Sequence, residues 1–249
     1  MNGVKVSKSP HINVHEWLDP HSHQYNKTIA SAIFHYSARA RKEDWLEVCV
    51  ATDEMKDAAW KYGYRSQIIL DGTFGVCDKR LLLFIIVAID ENKQGVPLAF
   101  LLFSAPSGNQ QTAAGYDIDI IAKLILTWKT SLEHYRGGKS FYALLGITDT
   151  DLKERTALLR VFSGIILLIC KFHLQQSWQN HRNRTVKGKA PAFIEVKSRL
   201  QRVEEALVAT MSLESATNII ANEVTIHEAM IEVSHAPAAE RGLLHLQYL

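Results

Sequence analysis

Apolar and polar positions along the chain change period several times, and each change marks an element. From Ser66 to Phe74, Leu81 to Asp90 and Val96 to Ser104, short runs rich in β-branched and aromatic residues are separated by brief segments such as Glu91-Asn92-Lys93-Gln94-Gly95. This predicts three strands in an antiparallel meander. The middle run is apolar at every position from Leu81 to Ile89, the pattern of a strand covered on both faces, so helices are expected on both sides of the sheet. Beyond Ser104 the period lengthens. Ile121, Leu124, Ile125, Trp128 and Leu132 recur at three and four, which predicts an amphipathic helix from about Gln111 to His134, ended by Gly137-Gly138.

A strand from Phe141 to Thr148 comes next, then a helix beginning near Asp151, where Glu154 three residues on suggests a capping box. A fifth strand, Gly164 to Cys170, completes the order βββαβαβ. After Cys170 the pattern is helical, with Phe193, Val196, Leu200, Val203 and Leu207 at alternating spacings. Residues 1–25 lack periodicity and are expected to form a disordered arm, while residues 26–65, rich in Ala, Lys and Glu, are expected to be helices, the second capped by Thr52 or Asp53. The chain then reads as an α/β protein with a mixed-sheet core over residues 66–180 and a helical insertion or appendage over 181–249. Arg241 to Leu249 stops on apolar residues without a terminating Gly, Pro or basic turn, so the appendage is expected to be incomplete and to end mid-helix.

Composition narrows the function classes only a little. With 249 residues, 47% hydrophobic and 22% charged, the chain has enough apolar material for a large core. Its 28 basic and 26 acidic residues give a net charge of +2, so a nucleic-acid partner must be met by local patches. Cys49, Cys77 and Cys170 are odd in number and widely spaced, which fits reduced thiols in an intracellular protein. The longest apolar run is about half of a membrane span, and the first twenty residues lack the apolar stretch of a secretory signal. No membrane association is expected.

Candidate chemistry gathers at two strand ends. Asp71 and Asp149 each close an apolar run, and carboxylates at the ends of neighbouring strands can share divalent cations, because the sheet fixes their separation while the ends stay open to substrate. Asp71 before Gly72 also suits a turn, and Asp149 could cap the following helix. Asp90 and Asp151 read as turn and cap residues. Cys170 and His173 supply two ligands where a structural zinc needs four, so no structural zinc is expected. From His181 to Lys189 there are four cations and no acid. Arg182, Arg184, Lys187 and Lys189 are therefore candidates to contact DNA phosphates, or simply a solvated loop. Arg39, Arg41 and Lys42 form a weaker patch, and Trp128 and Trp178 read as core anchors.

Asp71-Gly72-Thr73-Phe74-Gly75, Asp90 and Gly95 around the second turn, Thr148-Asp149, and Val161-Phe162 followed by Cys170-Lys171-Phe172-His173 together resemble the catalytic domain of Mutator-like element (MULE) transposases, over Met55 to Trp178. The strand order, with acids on the first and fourth strands, likewise resembles the RNase H-like fold of polynucleotidyl transferases. The resemblance implies metal-dependent cleavage and transfer of DNA strands, an Asp, Asp, Glu triad binding Mg²⁺ (or Mn²⁺), and a nuclear location. Asp71 and Asp149 match the first two acids, and Cys170 and His173 match the family's Cys-x-x-His element. The third acid departs from the pattern. The family's Thr-Asn-x-x-Glu finds Thr217-Asn218 followed by Ile219-Ile220-Ala221 here, and Glu223, two positions further on, is the nearest candidate. The resemblance then implies a third acid beyond Leu249 in a longer parent, and a truncated transposase in this chain. A non-catalytic DNA-binding or protein-interaction module derived from one, or a degenerate fragment, are the alternatives; oligomerisation is left open.

Overall fold

A computed structural model describes residues 10–39, 41, 44–73, 81–104, 117–233 and 236–249. The chain divides into two compact units, one ending at Leu168 and the other running from Ile169 to Leu249.

A seven-stranded mixed sheet organises the first unit. Its strands are β1 (Ile33–Ser37), β2 (Leu46–Val50), β3 (Gln67–Thr73), β4 (Leu82–Ile89), β5 (Gly95–Ser104), β6 (Leu145–Thr148) and β7 (Ile166–Ile169), in the spatial order β1-β2-β5-β4-β3-β6-β7. β3, β4 and β5 form the expected antiparallel meander, and β6 joins β3 in parallel. These strands are those the apolar runs predict, with β4 and β6 shorter than expected and β5 starting one residue earlier, at Gly95.

β1 and β2 correct the expectation of helices throughout residues 26–65. Among the described residues there, only α2 (Lys27–Ala32), capped by Asn26 at 3.0 Å from the Ile29 amide, and α3 (Asp53–Ala58), capped by Thr52 at 3.3 Å from the Met55 amide, are α-helical. A π-helical turn, Ala59–Gly63, continues α3. Between the two helices, Leu46-Glu47-Val48-Cys49-Val50 alternates with period two and pairs along β5 from Leu46↔Ser104 to Val50↔Phe100. The alternation is disguised because one of its inward positions is charged: Glu47, 2% exposed, is held by Lys123 Nζ at 2.7 Å and His35 Nε2 at 2.6 Å. Window composition reads Lys and Glu as helical, but the open edge of β5 offers backbone hydrogen bonds that outweigh that preference. Residues 10–18 of the expected arm form α1 (Pro10–Leu18).

The core lies between the sheet and two helices. α4 (Ile118–Tyr135) begins at Asp117, whose carboxylate accepts the Ile120 amide at 2.9 Å, and its predicted stripe of Ile121, Leu124, Ile125, Trp128 and Leu132 is buried. α5 (Leu152–Val161) adds Ala157 and Leu158. They cover Phe84, Ile86, Leu101 and Phe103 of the sheet. Each such side chain contributes about 1.5–3 kcal/mol. Along β4 burial alternates: Leu82, Phe84, Ile86 and Ala88 are buried while Leu83, Ile85 and Val87 are half-buried. One face is closed more completely than the other, where helices covering both faces were expected.

The second unit is helical: α6 (Lys171–Thr185), α7 (Pro191–Ala209), α8 (Leu213–Val233) and α9 (Ala236–Leu246). Val196, Leu200 and Val203 of the predicted repeat are buried with Val186, Ala238 and Leu246. α9 runs to Leu246, and the Tyr248 amide donates to the His245 carbonyl at 2.9 Å. Leu246 is buried, and Tyr248 stacks on His181 with ring centroids 3.9 Å apart. Among the described residues, no helix is long and apolar enough to cross a membrane.

Candidate metal centre

β3 and β6 run parallel with Gln67↔Leu145, Ile68↔Gly146 and Ile69↔Ile147 in register. Continuing that register by two residues brings Asp71 level with Asp149, on strands about 4.8 Å apart. β3 is gripped on its other side by β4, where Asp71 pairs with Ile85. A residue paired within the middle of a sheet is held more precisely than one on a loop. Both aspartates are half-buried. Of the associated motif, Phe74 and Gly75 lie outside the described residues, as does Cys77.

The turn from β6 into α5 is built from side-chain acceptors. Asp149 Oδ1 accepts the Asp151 amide at 2.6 Å, and Asp151 Oδ1 accepts the Lys153 amide at 2.8 Å, so Asp151 is the N-cap that the sequence suggested. Asp90 is likewise a turn residue, its Oδ1 accepting the amides of Asn92 and Gln94 at 2.9 and 2.7 Å. The capping box is not formed. Asp149 already takes the amide to which Glu154 would reach back, and the Glu154 side chain turns inward instead.

Glu154 is 0% exposed, and neither carboxylate oxygen has a hydrogen-bond partner. Loss of hydration, reinforced by the negative charges of Asp149, then Asp151 and Asp71, pushes its carboxyl up to about 9, against a small opposing pull from the Asp149 backbone. Gly72 on β3 leaves room beside it. A Cβ there would lie 3.1 Å from Glu154 Oε1 and 2.8 Å from Phe84 Cε1. Gly72 and Phe84 sit on the core face of the sheet, and strand alternation turns Asp71 to the other. Glu154 therefore reaches the end of β3 from behind the aspartate pair. Among the described residues, no three His, Cys, Asp or Glu side chains converge closely enough to hold a metal ion by themselves.

The remaining candidates lie in the second unit. Cys170 is the half-buried N-cap of α6 and makes no side-chain capping bond, and His173, one turn on, meets the Phe172 ring edgewise at 5.3 Å. Glu223 is occupied: Arg199 Nε and Nη2 donate to its two oxygens at 2.7 and 3.0 Å. Arg182 corrects the list of DNA-contacting cations, because it is buried and donates to Glu204 inside the helical unit. A guanidinium with a carboxylate beside it in the interior is turned inward by that charge. Arg184, Lys187 and Lys189 are exposed. Arg39, from the weaker patch, donates to the Ser104 carbonyl at 2.8 Å, and Lys42 lies outside the described residues. Trp128 and Trp178 are buried, as core anchors should be.

Sequence reading missed Glu154 although its signal was present. Asp149, Asp151 and Glu154 form a dense acidic run, but the helix-start pattern accounts for the last of them without reference to tertiary neighbours. Compared with known proteins, the chain matches no family model and no curated protein.

Proposed function

We propose that the chain carries an RNase H-like domain of the MULE transposase type, in which Asp71 and Asp149 bind divalent cations for phosphodiester chemistry on DNA. The observation that carries this reading is the parallel β3–β6 register, which, continued two residues past Ile69↔Ile147, would bring the two aspartates level. The meander followed by alternating helices and strands supports it, with acids on the first and fourth of those five strands. The donor set suits hard cations such as Mg²⁺ or Mn²⁺, which take carboxylate oxygens and keep several waters. When bound, such ions activate a water or 3′-hydroxyl and stabilise the leaving oxygen of an in-line displacement. Asp71 and Asp149 would fix their position, and the exposed Arg184, Lys187 and Lys189 would meet DNA phosphates.

A second reading is a non-catalytic DNA-binding module that keeps this scaffold. It is favoured by Glu223, whose two oxygens are both engaged by Arg199. Supercoiled DNA incubated with the chain and Mg²⁺ separates the two. Nicking that is lost in Asp71→Asn and Asp149→Asn, with the fold retained, supports the first reading; salt-sensitive binding without nicking selects the second.

A further inference from the structure

A buried carboxylate without a partner is rare, because removing it from water costs several kcal/mol unless something replaces the lost hydrogen bonds. Glu154 is such a group. It is fully enclosed, neither oxygen has a partner at full hydrogen-bond geometry although the Asp149 backbone N–H lies close enough to exert a small pull, and it packs beside Gly72, where a Cβ would lie 3.1 Å from its Oε1. The acids around it are Asp149, Asp151 and Asp71, two of which are the proposed cation ligands. Helix formation does not require this arrangement, since Asp151 caps α5 without Glu154. Packing does not require it either, since an apolar side chain would fill the same space at lower cost.

We propose that Glu154 is the third acid of the Asp71/Asp149 cation site, a positioning carboxylate that accepts hydrogen bonds from water carried by the bound ion rather than coordinating it directly. The inference rests on the reading of Asp71 and Asp149 as cation ligands. Among the described residues no three acids converge into one coordination shell, which suits a carboxylate that comes from the core face, behind the strand ends, and would act on the ion through its water. A hydrated Mg²⁺ or Mn²⁺ ion has water protons that need acceptors, and acceptors behind a metal site orient both the waters and the ligands. The acid sought downstream, near Thr217-Asn218, is supplied instead five residues after Asp149.

Calorimetric titration of the full chain with Mn²⁺ tests this, comparing wild type with Glu154→Gln, Glu154→Asp, Asp71→Asn and Asp149→Asn, each checked for folding by circular dichroism. Glutamine matches the neutral carboxyl in shape, so the fold should survive. The expected result is loss of binding in both Asn variants, about 10- to 100-fold weaker binding in Glu154→Gln, and partial recovery in Glu154→Asp, which keeps a carboxyl group able to accept from water. Should Glu154→Gln fail to fold, Glu154→Asp decides: affinity below wild type supports the role, and unchanged affinity overturns it. Wild-type affinity in a folded Glu154→Gln, with binding abolished by the Asn variants, overturns the role of Glu154 alone. A wild-type chain that binds no Mn²⁺ overturns the aspartate site and this inference together.

Discussion

Asp149 accepts the backbone N–H of Asp151 at 2.6 Å, and in doing so it takes the position that Glu154 would hold in a capping box. One short hydrogen bond thereby converts a surface capping residue into a buried acid. The consequence is measurable without any ligand. With its carboxyl held near 9 in the folded protein against about 4.5 in the unfolded chain, Glu154 keeps a proton that the unfolded state releases across that window. Stability should therefore fall as pH rises from about 5 to 9, by up to about 1.4 kcal/mol per pH unit. Glu154→Gln should remove this slope. Urea denaturation in EDTA across that range checks it, and parallel slopes for the two proteins would exclude the assignment.

Gly72→Ala should destabilise the first unit by about 1–3 kcal/mol, the usual cost of overpacking. The added methyl meets Phe84 Cε1 at 2.8 Å, in the middle of a paired strand, and Glu154 Oε1 at 3.1 Å. Thermal or urea unfolding measures the change. A neutral result would mean that Phe84 and Glu154 can both withdraw, and that the pocket is looser than described.

The helical unit has its own dependence on a buried carboxylate. Glu204 accepts from Arg182 and, at 2.8 Å, pairs with His245 Nε2, whose Nδ1 lies 2.9 Å from His181 Nδ1. Glu204→Ala leaves Arg182 charged in the interior and should cost about 3–5 kcal/mol. Replacing both, as Arg182→Met with Glu204→Leu, should recover most of that loss. If the double variant is no better than the single one by urea unfolding, the cost does not come from the stranded charge.

Cys49 tests the unexpected strand pair. It is fully buried in β2 against β5, and burial, with the nearby Glu47 charge adding to it, pushes its thiol up to about 12. The reactive form of a cysteine is the thiolate. Iodoacetamide at pH 8 should leave Cys49 unmodified in the folded protein and alkylate it after unfolding, as read by peptide mass spectrometry. Rapid modification in the native state would mean that β2 is not seated as described.

What the sequence by itself determined is the set of elements whose signal is local. Five strands were legible from unbroken apolar runs, and α4 from a stripe at three and four spacing, because neither pattern depends on what lies across from it. The buried repeat of α7 was legible for the same reason. Asp71 and Asp149 stood out because each ends such a run. Tertiary structure alone decided the rest, in each case through a contact distant along the chain. β2 exists because β5 has an open edge, some fifty residues away, and because Lys123 and His35 hydrogen-bond the Glu47 that hides its alternation. Arg182 turned inward because Glu204 lies beside it. Glu154 left the helix cap because Asp149 occupied the Asp151 amide and Gly72, on another strand, left room for its carboxyl. A charged side chain can suit several local patterns, and the partner that selects among them is brought near only by folding.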